Sequence, residues 1–343
     1  MRRLNREGTF SRQIVLKNQT KSLKHRIVNQ VVGNMYLLKK AIKIIKRDGG
    51  FKFFRKCIIY IFDQAMTYNP ISLFLRNSKF NYRAHQRRIK LSQVIFDNLE
   101  GVVKYGPLKG FKINKNSKWG EADRGGMLLG LYEKEIQEML LAASKNRRIL
   151  VDLGAADGFF GVGAVASNLF DRSYCYEVSD EARNALFETA EANNVSNRIS
   201  VRGIAEPDFY NDLLVDAVAL TDVVILSDIE GAEFSVFTAE TLANLSKAKI
   251  IIEIHDWGIG RDAQYDQLKK SAEKYFKISE IRTGARDLSH IEELENFHDS
   301  DRWILCSEGR GNLGKWICLD PKNQNNMHTE SPDYRPSVAS DLG

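Results

Sequence analysis

Arg147-Arg-Ile-Leu-Val-Asp-Leu-Gly-Ala-Ala-Asp-Gly-Phe-Phe-Gly161 is the stretch on which the fold turns. Ile149-Leu150-Val151 is short and undiluted by polar residues, the pattern of a strand buried on both faces. Asp152 follows, then Gly154, Ala155, Ala156, Asp157 and Gly158, then a helix-compatible segment from Phe159 to Phe170. Small residues let backbone approach backbone where a strand turns into a helix. A ligand at such a turn meets the free N–H groups of the new helix. The glycine turn is not a strict G-x-G-x-x-G. It gains weight from Tyr174-Cys-Tyr-Glu177, which ends the next strand with a carboxylate about 20 residues on, where it would bind the two hydroxyls of a ribose.

Working outward, strands are expected at 148–153, 173–177, 198–204, 222–227 and 249–254, and helices at 158–169, 180–193, 232–243 and 263–275. Alternation at this spacing predicts a parallel sheet with helices on both faces. Phe276 to Arg282 and Lys315 to Leu319 read as the last two strands. The segment between them is too long for a plain hairpin and carries Arg286, Asp287, His290, His298, Arg302 and Arg310. It is expected near one edge of the sheet, over the substrate mouth. Upstream, Gly101 to Ile113 reads as a short hairpin or irregular lead-in, and Gly126 to Ser144 as one long helix.

In an open α/β sheet, ligands bind beyond the carboxyl ends of the strands. Those ends offer Asp152, Gly154, Ala155, Asp157 and Gly158; Glu177; Gly203, Ile204 and Ala205, placed to line an adenine pocket; Asp228 and Glu230; and Glu253, His255, Asp256 and Trp257. Acids and a histidine gathered at neighbouring strand ends are costly to bury without a role. Structural roles compete: Glu230 as cap of the following helix, Glu253 paired with an arginine, Glu233 as a solvated or first-turn acid.

The glycine turn and Glu177 resemble motif I and the ribose acid of class I S-adenosylmethionine-dependent methyltransferases. Ser227-Asp-Ile-Glu-Gly-Ala-Glu233 and Ile252-Glu-Ile-His255 resemble two further signatures of the FkbM-type methyltransferase family, so that the likeness spans roughly residues 130 to 256. Tyr132-Glu133 resembles an element seen upstream of motif I in that family, and Glu133 would either reach the cofactor's amino end or be a solvated helix carboxylate. The resemblance implies a Rossmann-like, doubly wound α/β domain with a seven-stranded, mostly parallel sheet. It implies S-adenosylmethionine as cofactor, held by Asp152, Gly154, Ala155, Asp157, Gly158, Glu177, Ile204, Ala205, Asp228 and Glu133. The implied reaction is O-methylation of a hydroxyl on a sugar, glycolipid or cell-surface glycan precursor; a small-molecule secondary metabolite is the alternative acceptor. Two positions depart from the family pattern: Leu226 stands where Lys is common, and Val178 where Pro is usual.

An alcohol needs a base, or a metal that lowers its pKa, at the moment of methyl transfer. His255 suits the base, with Asp228 orienting it or the acceptor. Asp228, Glu253 and His255 could instead form a divalent-cation (Mg²⁺) site. The base is the preferred reading. Methyltransferases of base amino groups resemble one another in an Asn/Asp-Pro-Pro-aromatic turn, and here the turn is Asp228-Ile-Glu-Gly231. That weighs against a nucleic-acid partner, as the strand-end acids weigh against a non-catalytic cofactor-binding protein.

The chain of 343 residues carries a net charge of +6 that conceals an asymmetry. Residues 1–100 hold 22 Lys and Arg against 5 Asp and Glu, and residues 101–343 hold 28 against 39. The division expected is a basic helical extension at 1–100, a methyltransferase domain at 101–320 and a disordered tail at 321–343, polar and broken by Pro332 and Pro336. Amphipathic helices are expected from Met35 to Arg47 and from Phe51 to Met66, with a third from Tyr82 to Leu99. Basic, aromatic faces of this kind suit an anionic membrane surface met through residues 35–66, or else packing on the catalytic domain. Cys57, Cys175, Cys306 and Cys318 have no metal-ligand spacing and read as reduced thiols. With neither a signal peptide nor a membrane span evident, the location expected is cytoplasmic, peripheral to the inner face of the membrane.

Overall fold

The computed structural model describes residues 70–115, 120–255, 260–310 and 313–322, with side chains from residue 80. The helices expected at 35–47 and 51–66, Cys57, Asp256, Trp257 and the tail from residue 323 lie outside the described residues. The chain divides into two compact units, Met1–Asn81 and Tyr82–Gly343.

Along the chain run helices α1 (Pro70–Asn98), α2 (Arg124–Leu128) and α3 (Lys134–Ala143), then strand β1 (Ile149–Leu153), α4 (Gly161–Ala166), β2 (Arg172–Tyr176), α5 (Asp180–Ala192) and β3 (Ile199–Arg202). They continue with α6 (Asn211–Val215), β4 (Val223–Ser227), α7 (Glu233–Val236), α8 (Ala239–Asn244), β5 (Lys249–Glu253), α9 (Arg261–Ala272), β6 (Phe276–Arg282), α10 (Asp299–Cys306) and β7 (Lys315–Pro321). The seven strands form one sheet in the order β3-β2-β1-β4-β5-β7-β6. β1 to β5 are parallel, and β7 runs antiparallel to both β5 and β6. The order reverses beside β1, so β1 and β4 flank the switch point where a ligand crevice opens.

Strand residues alternate between two cores. Leu150, Cys175, Val224, Leu226, Ile251 and Trp316 face α1 to α5 and α10. Val151, Tyr174, Ile225, Ile250, Ile252 and Ile317 face α6 to α9. A strand covered on both faces must be apolar at every position, which is why the opening run holds no polar residue before Asp152. Local capping fixes the helix starts: Ser179 accepts from the Ala182 N–H (3.3 Å) and Thr238 from the Thr241 N–H (3.1 Å).

Three expected helices differ. The one placed at 126–144 is α2 and α3 with a break between, because Gly130 (φ +67°) and Glu133 (φ +43°) take left-handed backbone that no α-helix continues. The one placed at 232–243 is α7 and α8, since Thr238 adopts extended backbone and starts a new helix with its own hydroxyl. The one placed at 82–99 is the C-terminal part of α1, which starts at Pro70. There Leu91, Ile95 and Phe96 are buried in the core, and the Ser92 hydroxyl donates to the Ala122 carbonyl (2.8 Å) and accepts from the Gly125 N–H (3.1 Å). The segment at 101–113, expected as a short hairpin or an irregular lead-in, is irregular and closed by a bridge between Val102 and Lys112. Cys175, Cys306 and Cys318 are free, buried thiols, and among the described residues no helix is long and apolar enough to cross a membrane.

Candidate active site

The loop after β1 is held from two sides. The N–H groups of Gly154 and Ala155 both donate to the Tyr176 carbonyl (2.9 and 3.0 Å) at the end of β2. Gly154 has φ +87°, and a Cβ there would lie 1.8 Å from the Asp228 carbonyl oxygen. The loops after β1 and β4 therefore touch, and only glycine fits the contact. Ala156, also left-handed (φ +46°), donates its N–H to Glu177 Oε2 (2.9 Å), while Glu177 Oε1 accepts from the Ser179 N–H (2.8 Å). Glu177 is thus fixed at the end of β2, half-buried and facing the glycine turn. Beside it, Val178 (70% exposed) and Ile204 (62% exposed) leave apolar side chains at the ends of adjacent strands, and Ala205 packs half-buried behind them. Gly203 has open space where a side chain would be.

Asp152 stands near the end of β1. It is buried under the turn, accepts the Gly161 N–H at the start of α4, and burial raises its pKa to about 7. It holds the helix against the strand. Gly158 (φ +91°) completes the turn, and Asp157, buried, lines a small pocket with Phe111, Met127 and Phe159 on the other side of it.

At the ends of β4 and β5 the side chains converge on His255. Its backbone N–H donates to Glu233 Oε1 (2.8 Å), and its Nδ1 lies 3.6 Å from the same oxygen. Its Nε2 lies 3.5 Å from Glu230 Oε2, 3.6 Å from Asp228 Oδ1 and 3.9 Å from Glu253 Oε2. Of the two readings of Glu233, the first-turn acid holds and the solvated one does not: it is 0% exposed. Its place in the first turn of α7 aims it back at β5, and the sequence signal was its spacing within Asp228-Ile-Glu-Gly-Ala-Glu233. Glu230, 68% exposed at φ +50°, makes no cap to α7 and stands at the mouth.

Burial works to lower the His255 pKa, but the Glu233 hydrogen bond and the charges of Asp228, Glu233 and Glu253 outweigh it and leave it above 6.5. Burial likewise works to raise Glu233, and the bonds to His255 reverse that, so Glu233 stays ionised. Asp228 is pushed up to about 8, first by burial and then by the charge of Glu253. Crowding by a second carboxylate acts in the same direction as burial.

The segment between β6 and β7 comes over these strand ends with two arginines. Arg310 donates to Glu253 Oε1 (2.6 Å), to Glu308 Oε2 (2.7 Å) and to Glu133. Arg286 donates to Glu308 Oε1 (2.6 Å) and Glu135 Oε1 (2.7 Å). Glu133 is consequently buried and ion-paired, not solvated, and burial followed by the charge of Asp228 raises its pKa well above the usual carboxylate range. Asp287 stays outside, accepting from the Ser289 N–H (2.9 Å).

Asp228, Glu253 and His255 bring one ligand atom each within 4.8 Å of one another, a spacing a divalent cation could bridge. Arg310, 2.6 Å from Glu253, would repel that cation. The arrangement fits proton transfer better: a histidine backed by a buried carboxylate, with Nε2 turned to the mouth.

No protein-family model matches the chain, and no curated protein does. Among solved structures it is similar to an O-methyltransferase from Bacillus cereus in complex with SAH (12% identity, TM-score 0.38, covering 68% of this chain and 90% of that one). It is similar to the tRNA methyltransferase TrmK from B. subtilis (10% identity, TM-score 0.34), covering 53% of this chain and spanning 64% of TrmK's length. A third is a precorrin-6y methyltransferase from Geobacter metallireducens (11% identity, TM-score 0.36, covering 61% and 92%). The fold is Rossmann-like, of the class I methyltransferase type; its mark is the strand order itself, five parallel strands closed by the antiparallel β7.

Proposed function

We propose that this chain is an S-adenosylmethionine-dependent O-methyltransferase acting on a hydroxyl of a sugar, glycolipid or cell-surface glycan precursor. The observation that carries the reaction type is the Glu233–His255 pair, set beside Asp228, whose own carbonyl touches the glycine turn. A proton acceptor and a donor pocket thereby share one loop contact. The likeness of the Asp228–Glu233 and Glu253–His255 elements to the FkbM-type family supports a hydroxyl acceptor.

The cofactor fits the residues present. Glu177, at the end of β2 and facing the glycine turn, would accept from two ribose hydroxyls, and Val178 and Ile204 would offer apolar surface to a base. The glycine turn lets the loops after β1 and β4 meet beside Glu177. When bound, S-adenosylmethionine supplies an activated methyl group on a sulfonium. His255 Nε2 takes the hydroxyl proton as the acceptor oxygen attacks, and Glu233 stabilises the imidazolium that forms. Asp228, 3.6 Å from Nε2, orients the ring or the acceptor. Glu177→Ala is expected to weaken S-adenosylmethionine binding by roughly 1–3 kcal/mol, the worth of charge-assisted hydrogen bonds. Calorimetric titration measures it, and unchanged affinity in the folded variant removes the ribose assignment.

Nucleic-acid methylation is the rival that the basic N-terminal region favours. Two of the arginines on α1 are engaged within the chain instead: Arg87, half exposed, pairs with Asp301 (2.6 Å), and buried Arg88 donates to the Ser307 carbonyl (3.2 Å). The exposed Glu230 at the mouth also repels a polyanion. A lipid-linked acceptor would be met at a membrane, and residues 35–66 supply the basic and apolar side chains for it. Co-sedimentation with anionic vesicles is expected at low salt and weakens as salt rises, since each basic residue near the surface is worth about 1 kcal/mol. Protein left wholly in the supernatant at low salt refutes the membrane contact.

A further inference from the structure

Arg310 comes from the segment between β6 and β7, far in sequence from every strand end it touches. One guanidinium there serves three carboxylates: Glu253 at the end of β5 through Nη1, Glu308 through Nε, and Glu133 before α3 through Nη2. All three carboxylates are buried, with side-chain exposures of 5%, 9% and 2%. The planar fork of Arg can hold three partners in fixed directions, which a lysine ammonium cannot.

The consequence lies in what Glu253 has left. Its Oε1 is bound to Arg310, so its Oε2 is turned to His255 Nε2 at 3.9 Å. Freed from Arg310, Glu253 would compete with the acceptor for that nitrogen and crowd Asp228 further. Glu133, on the same guanidinium, also receives the charge of Asp228. The segment is itself braced: Gly309 packs so closely on Arg88 of α1 that a Cβ there would lie 1.9 Å from Nη1, and Glu308 is held by Arg286. Arg310 is therefore not a mobile surface charge but a fixed point between the acceptor side and the α3 side of the cleft.

Resting on the methyl-transfer reading, we infer that Arg310 is a positioning residue: by holding Glu253 and Glu133 together it sets the orientation in which His255 meets the acceptor hydroxyl. A purely structural clasp would contribute to stability and leave the histidine ring indifferent.

The test uses full-length protein labelled with ¹⁵N at histidine, the His255 ring signals being assigned by their loss in His255→Gln. Arg310→Gln is expected to displace or broaden those signals by more than a line width. Glu135→Gln, which cuts the same network one link further out at Arg286, is expected to lower the melting temperature and leave them in place. If Arg310→Gln does not fold, Arg310→Lys reads the same point, since it keeps the charge and loses the fork. Ring signals superimposable on wild type in a folded Arg310 variant overturn the inference, as would equal displacement by Glu135→Gln. S-adenosylmethionine titration of the wild type runs alongside. Absence of binding there defeats the methyltransferase reading, whereas the ring signals alone decide whether Arg310 orients His255.

Discussion

Methyl transfer by the His255→Ala protein is expected to fall about 10²–10⁴-fold with cofactor affinity kept, the usual worth of a positioned general base. The pH profile sharpens this. His255 accepts a proton only when neutral, and its pKa lies above the ordinary 6.5 because the Glu233 bond and three carboxylate charges outweigh burial. The rate should therefore rise with pH along a limb displaced above 6.5 and level off once the ring is neutral. Glu233→Gln removes the largest of the raising influences, so the limb moves to lower pH. Turnover falls with it, because the imidazolium loses its stabilising charge. Steady-state rates across the pH range, with and without chelator, decide the matter. Full activity in His255→Ala refutes the base; loss of wild-type activity on chelation, restored by Mg²⁺, assigns the work to a cation at Asp228, Glu253 and His255.

Gly154→Ala should be the most damaging conservative change in the donor half. Left-handed backbone costs a side chain about 1–2 kcal/mol, and overpacking typically adds 1–3 kcal/mol. Here the obstacle 1.8 Å from the new Cβ is the Asp228 backbone carbonyl, which cannot rotate aside as a side chain would. The loop has to move, and the donor pocket with it. Gly110 supplies the control: φ is +92°, but nothing lies within 4 Å of its Cβ position. Gly110→Ala should show the backbone cost alone, about 1–2 kcal/mol, with cofactor binding intact. Denaturant unfolding and calorimetry of the two variants measure the difference. Equal stability and equal affinity would mean that the contact between the two loops does not shape the pocket.

The sheet was legible because its physics is local. A strand covered on both faces has to read as an apolar run, and β1, β4 and β5 do, in Ile149–Val151, Val223–Leu226 and Ile250–Ile252. The glycine turn and Glu177 were legible too, since their spacing is set by one strand–helix–strand unit. What escaped depends on contacts between distant segments. Glu233 sits where a helix dipole alone would justify an acid, so only its spacing from Asp228 hints that it is sealed against His255 and not a surface carboxylate. Asp152 reads as a strand-end acid, and its hydrogen bond to the Gly161 N–H at the start of α4 is a contact that the spacing does not announce. The break at Gly130 and Glu133 hides in a segment with good helical periodicity: a single glycine is tolerated in a helix, and an αL glutamate leaves no mark in composition. Arg310 could be named as lying over the mouth, but its three partners, at 133, 253 and 308, are joined only by the fold.

The acids at the strand ends and the arginines above them come from different parts of the chain, and this bears on how such a site can change over evolutionary time. Glu133 and Glu253 belong to the frame of the domain; Arg286 and Arg310 belong to an inserted segment. Shortening that segment by recombination at β6 and β7 would strand two sealed carboxylates without counter-charge. The insertion and the acids are thus bound to vary as a set, and the segment is not an ornament that can be traded freely between lineages while the rest of the sheet stays as it is.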